Sequence, residues 1–169
     1  IMNSKNFLII LVLALFVISC SKKEIKKSVL KEKSLELQVQ EAYNEGVKAL
    51  EVNDVLFAAK KFNEAEILFP QSDWAPKSAL MAAYSYYKQD YYEDAIAELI
   101  RFIKIYKNHK DLSYAYYLLG ISYYEQIVDE KKDLQSIINS KKTFLELIKK
   151  FPNTEYALDA EFKLDAMKT

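Results

Sequence analysis

A small residue returns at one phase of this chain every 37 positions: Gly46, Ala83 and Gly120. The chain holds only two glycines, and both fall at this phase, each midway along an apolar run where a larger side chain would hold a partner helix away. After Gly46 come Ala58, Phe62, Ala65 and Pro70, at 12, 16, 19 and 24 residues further on. Small, large, small and helix-ending positions in that order describe two helices packed as a hairpin. Two Gly and three Pro in 169 residues leave almost no material for tight strand turns, so the chain reads as all-α.

These spacings resemble the tetratricopeptide repeat, and they predict a solenoid of antiparallel helix hairpins, about three repeats followed by a terminal helix, over residues 38–169. In the first repeat the helices run from about Leu37 to Val52 and from about Val55 to Phe69, with Asn53 and Asp54 breaking the chain between them. Leu56, Ala59, Phe62, Ala65 and Ile67 are expected to face inward. In the second repeat Asp73 is expected to cap the first helix, Pro76 is tolerated in its first turn, and Gln89 with Asp90 turns the chain. The second helix ends near Tyr106, where Lys107 replaces the usual proline, and His109 is expected as an exposed loop residue. The third repeat is longer: Gly120 to Pro152 spans 32 residues where Gly46 to Pro70 spans 24. The eight extra residues are assigned to a lengthened hairpin loop around 128–138, with the helix resuming near Ser140. A last helix starts at Asn153-Thr154-Glu155 and has no partner hairpin.

Ahead of the repeats, Lys5 precedes the apolar run 7–18, which closes on Val17-Ile18-Ser19-Cys20. A dozen apolar residues are too few to span a bilayer and suit the core of a signal peptide. The run therefore predicts a signal peptide over 1–19, ending at a sequence that resembles a bacterial lipobox. Cys20 is the only cysteine, which leaves no intrachain disulfide to form and makes it the expected lipid attachment site. Two or more acyl chains there give lasting anchorage, where one binds marginally. Ser21 at the next position resembles the outer-membrane sorting choice, and the lysine-rich stretch 20–37 reads as a tether.

Several function classes are excluded by the same residues. Lys and Arg number 24, as do Asp and Glu, so no positive excess draws a phosphate backbone, and no nucleic acid is expected. There is one histidine, no glycine-rich phosphate loop and no cluster with metal-ligand spacing, so neither an enzyme nor a metal or cofactor site is expected.

Three strings in order carry a more specific resemblance: Phe69-Pro70-Gln71-Ser72-Asp73-Trp74-Ala75, then residues 114–127 (Tyr-Ala-Tyr-Tyr-Leu-Leu-Gly-Ile-Ser-Tyr-Tyr-Glu-Gln-Ile), then Phe151-Pro152-Asn153-Thr154-Glu155-Tyr156-Ala157. Together with the lipobox they resemble the BamD family of outer-membrane assembly lipoproteins, over residues 42–164. The resemblance implies a periplasm-facing, lipid-anchored component of the β-barrel assembly machinery. Its expected partners are the barrel insertase subunit, other assembly lipoproteins and unfolded outer-membrane protein precursors. It covers the N-terminal part of the family's pattern, the half associated with precursor recognition. By analogy with the repeat, the concave groove is expected to be formed by Tyr43, Val47, Lys77, Leu80, Tyr84, Tyr87, Lys88, Tyr117, Ile121 and Tyr124. Such an aromatic groove with a few lysines suits a peptide ending in an aromatic residue and a carboxylate. The alternative is a periplasmic scaffold for cell-envelope or cell-division complexes.

Overall fold

Ser34 starts the folded part of the chain by accepting a hydrogen bond from the Leu37 N–H, 3.3 Å away, at the head of helix α1, Leu35–Glu51. The computed structural model describes residues 34–126 and 134–168. The predicted signal peptide, Cys20 and most of the tether lie outside the described residues. Helix α1 begins inside the stretch assigned to the tether, because Ser34 supplies the capping hydroxyl that satisfies an otherwise unpaired N–H.

Six further helices follow: α2 (Val55–Leu68), α3 (Trp74–Tyr87), α4 (Tyr92–Ile105), α5 (Leu112–Glu125), α6 (Leu134–Lys150) and α7 (Glu155–Ala166). The described residues are all helix and connecting turn. Each helix packs on the next, and α1 also touches α3, α3 touches α5, and α5 touches α7. That pattern is a stack of hairpins in which the odd helices form one continuous layer.

The turns repeat with the period of the sequence. Asn53 and Asp90, again 37 apart, are the two non-glycine residues with positive φ among those described, at 62° and 61°. Asn and Asp tolerate this left-handed conformation better than other side chains. It lets the Asp54 N–H reach the Ala49 carbonyl at 2.8 Å and the Tyr91 N–H reach Tyr86 at 3.1 Å, closing α1 and α3 in the same way. Between hairpins, the N–H of Ser72, His109 and Thr154 bonds the carbonyl of the aromatic three residues before: Phe69, Tyr106 and Phe151. The turn with Lys107 therefore closes like the two with Pro70 and Pro152.

The core sits between the two layers, where Phe62, Leu99, Phe102, Phe144 and Leu147 are fully buried. Each such side chain contributes roughly 1.5–3 kcal/mol of transfer free energy. The small residues that recur every 37 positions lie against this core. A Cβ added to Gly46 would fall 2.8–2.9 Å from the Phe62 ring, and one added to Gly120 would clash with Phe144. Leu99 takes the corresponding place in the second hairpin, opposite Ala83; both are fully buried.

Four expectations are corrected. Leu56 and Ile67 are 55% and 74% exposed, because the inward face of α2 is set by Ala58, Ala59, Phe62 and Ala65, and those two residues lie outside that arc. Helix α6 begins at Leu134, six residues before the expected start, so much of the third hairpin's extra length is helix; residues 127–133 lie outside the described residues. Asp73 occupies the cap position of α3 without a side-chain cap bond. His109 is half-buried, its ring edge-on to Phe102 at 5.7 Å, because it takes the turn position that Ser72 and Thr154 take in the other repeats.

One polar cluster ties the first hairpin to the second. Glu66, almost fully buried, receives both terminal nitrogens of Arg101 at 2.7 and 2.6 Å and the hydroxyl of Tyr106 at 2.6 Å. Glu98 holds the remaining edge of the guanidinium through Nε at 2.9 Å. Bidentate pairing satisfies the geometry that a buried carboxylate requires.

Candidate functional site

The odd helices line a cleft of about 430 Å³. Helix α3 contributes Lys77, Leu80, Met81 and Tyr84, α5 contributes Tyr114 with Asp111 at its cap, and α7 contributes Tyr156. These residues meet because consecutive odd helices stand side by side, so positions one repeat apart fall next to each other. Tyr114 follows Lys77 by 37 residues. The wall from α7 is held by Tyr156, whose ring lies 5.4 Å from Tyr114 and 5.3 Å from Tyr117, and by the Tyr117 hydroxyl, which donates to Asp159 at 2.6 Å.

A second, polar cleft of about 490 Å³ adjoins the first and shares Lys77 and Asp111 with it. Asp73, Pro76, Asn108, His109 and Lys110 complete its lining. The Lys77 ammonium stands between the two, 4.7 Å above the Tyr43 ring and 5.0 Å from that of Trp74. The aromatic faces hold the cation without neutralising it.

Burial raises several phenols above the ordinary tyrosine range. Tyr114 is pushed up to about 12, chiefly by desolvation, with the neighbouring Tyr84, Tyr156 and Tyr87 adding to it. Tyr117 is raised further, by burial and by its bond to Asp159. Both are neutral hydrogen-bond donors across the physiological range.

Of the ten expected groove residues, Lys77, Leu80 and Tyr84 line the aromatic cleft. Tyr117 stands behind its wall and fastens α7. Tyr87 is half-buried against Tyr92, with ring centres 5.9 Å apart. Tyr43 is a core residue, edge-on to both Phe62 and Trp74 at 5.1 Å, and Ile121 is buried in the core as well. Val47 packs against the core around Tyr43 and Phe62, Tyr124 lies under the Lys163 ammonium at 5.3 Å, and Lys88 is the exposed C-cap of α3; none of the three lines this cleft. Sequence reasoning missed Met81, Asp111, Tyr114 and Tyr156. Tyr114 was within reach, since it is Lys77 advanced by one period. Tyr156 was not, because the longer third hairpin breaks the register before it.

Among the described residues no group of three or more His, Cys, Asp or Glu is placed to hold a metal ion, and no helix is long and apolar enough to cross a membrane. The fold and the cleft define a tetratricopeptide-repeat protein. The tetratricopeptide domain of Arabidopsis OM64 superposes with a TM-score of 0.60, covering 79% of this chain and 98% of that one at 14% identity, a likeness of fold. The chain belongs to the YfiO family of outer membrane lipoproteins, whose model matches residues 35–169. Among its relatives is a Caulobacter vibrioides protein, 34% identical over 149 residues, which cover 88% of this chain and 48% of the relative. Another, from Rickettsia prowazekii, is 38% identical over 123 residues, covering 73% of this chain and 49% of the relative. Both are named outer membrane protein assembly factor BamD. The chain spans about half the length of these curated relatives.

Proposed function

We propose that this chain acts in outer-membrane protein assembly as a lipid-anchored, non-catalytic binding component. Cys20 is its attachment point, and the cleft between α3, α5 and α7 receives extended segments of unfolded barrel precursors. The names of its relatives support the assembly role. The observation that carries the binding role is the lining of the cleft: Leu80, Met81, Tyr84, Tyr114 and Tyr156 offer apolar and aromatic surface, and one cation, Lys77, stands at its edge. A preformed concave surface of that kind takes an extended chain through one anchoring aromatic side chain and a few polar contacts. The barrel insertase subunit and other assembly lipoproteins are the proposed folded partners.

The experiment is purification of the intact lipoprotein from detergent-solubilised outer membranes, followed by identification of what accompanies it. Recovery of a barrel insertase and of unfolded barrel precursors is the expected result. Recovery of cell-wall or division proteins in their place would transfer the chain to the scaffold role.

A further inference from the structure

The outward faces of the even helices share one register. Leu56 and Ile67 on α2 correspond, 37 residues on, to Glu93 and Lys104 on α4; a further 45 on, in the register set by Leu99 and Phe144, they correspond to Ile138 and Lys149 on α6. All six are exposed. Because α2 and α4 keep this face open while later hairpins stack beyond them, it is the solvent side of the stack and is not covered by a following hairpin.

The three faces differ in charge. Helix α2 exposes Glu64, and α4 exposes Glu93 and Asp94. The exposed residues of α6 include no carboxylate. Leu134, Ile138, Lys142, Leu145 and Lys149 follow one another there in steps of three and four residues, which sets them on one stripe. The three apolar members are 68%, 47% and 60% exposed. Lys142 and Lys149 form no ion pair among the described residues, whereas Lys150 beside them is held by Glu146 at 2.7 Å and donates to the Tyr116 hydroxyl at 2.6 Å. Glu161 and Asp165 of α7 lie across the adjoining groove, where Lys141 and Lys168 balance them.

We infer that the outward face of α6 docks on an anionic phospholipid surface. Its apolar side chains enter the boundary between headgroups and acyl chains, and the two lysines meet the phosphates beside them. The mixture of residues favours lipid over a folded protein. Protein interfaces deplete lysine at their centres, whereas at a bilayer the lysine stem lies among apolar groups and its ammonium stays with the headgroups. On α4 the same headgroups would repel Glu93 and Asp94. Membership of an outer membrane lipoprotein family supplies the bilayer.

The test uses the full chain in bilayer discs, with methyl-labelled Ile and Leu and a paramagnetic headgroup lipid. Ile138→Val and Leu145→Met assign the α6 signals, and Ile100→Val and Leu56→Met those of α4 and α2. In discs containing phosphatidylglycerol, the Ile138 and Leu145 signals are expected to broaden well beyond those of Ile100 and Leu56. In discs of phosphatidylcholine alone that difference disappears. Lys142→Gln and Lys149→Gln each lower the contact equilibrium roughly five-fold, and Lys104→Gln leaves it unchanged. Equal broadening on all three helices, or broadening of α6 that is indifferent to lipid charge, overturns the inference. So does broadening that follows protein concentration, which assigns the face to a second copy, or protection that requires an added protein, which assigns it to a protein partner. None of the substituted residues lines the cleft, so the result is independent of the co-purification experiment.

Discussion

Phe144 fills the space that a Cβ on Gly120 would need, and Phe62 does the same to Gly46 one hairpin away. In the second hairpin the pair is Ala83 with Leu99, a methyl gained on one helix and a ring lost on the other. Large and small thus trade across the same crossing. Gly120→Ala is expected to destabilise the protein by about 1–3 kcal/mol through overpacking. Adding Phe144→Leu should recover much of that loss by reproducing the Ala83 and Leu99 arrangement. Denaturant midpoints of the three variants check this, and an unchanged midpoint for Gly120→Ala would remove the crossing from the explanation of the glycine.

The Arg101 cluster gives a second stability prediction. Arg101→Met leaves Glu66 buried without its cation and should cost roughly 2–4 kcal/mol, at the low end of the range for buried pairs because the guanidinium is partly exposed. Glu66→Leu combined with Arg101→Met should cost less than Arg101→Met alone, since no charge is then stranded. A double-mutant cycle measures the difference, and additive losses would show that the pair is not coupled.

Tyr114 ties stability to alkaline pH. Its pKa rises from the ordinary tyrosine value near 10 to about 12 on folding, so the folded state holds the proton more tightly. Its contribution is fully present below about pH 10 and is lost as pH climbs toward 12. Tyr114→Phe, which cannot ionise, should show a shallower fall in stability across that window. Unfolding midpoints at a series of pH values from 9 to 12 give the comparison, and parallel curves would place Tyr114 in solvent.

Binding of a peptide ending in Phe should separate the two candidate lysines. Tyr84→Ala should weaken it by about 1–3 kcal/mol at any salt concentration, as loss of an interface anchor does. Lys77→Ala should weaken it less, and the difference should shrink as salt rises and screens the charge over about 8 Å or less. Lys88→Ala should have no effect, because Lys88 does not line the cleft. Calorimetry at two ionic strengths distinguishes these outcomes, and an equal loss in Lys88→Ala would move the site toward the end of α3.

Cys20→Ser should yield a protein that carries no lipid and no longer fractionates with the outer membrane. Mass spectrometry of the wild-type protein provides the complementary measurement: a mature chain without acyl mass would end the anchoring proposal.

The helices and turns were legible because their determinants are local. Gly46, Ala83 and Gly120 mark the crossings, Asn53 and Asp90 supply the left-handed turn residues, and Pro70 and Pro152 stop the even helices. Period and chemistry sit in the chain for all of them. The start of α6 was not legible, since the inward positions of its first turns are Ser136 and Ser140, which bond Gln126 and the Gly120 carbonyl on α5, while Leu134 and Ile138 are exposed. Which tyrosines face the cleft was legible only in part: Tyr84, and Tyr114 one period after Lys77, follow from the repeat, whereas Tyr156 does not. Tyr43, Tyr84 and Tyr117 occupy similar stretches of three homologous helices, and a single repeat cannot tell an outer ring from one that a neighbouring hairpin covers.

The sequence by itself determined an all-α repeat and its period, because backbone hydrogen bonding and the size of a residue at a crossing act within one hairpin. Tertiary structure alone decided the site. Whether a tyrosine becomes core, wall or open donor depends on which element the next hairpin lays against it. Trp74 sits beside Tyr43, Asp159 occupies the hydroxyl of Tyr117, and Tyr156 closes the cleft in front of Tyr114 from 42 residues further along the chain.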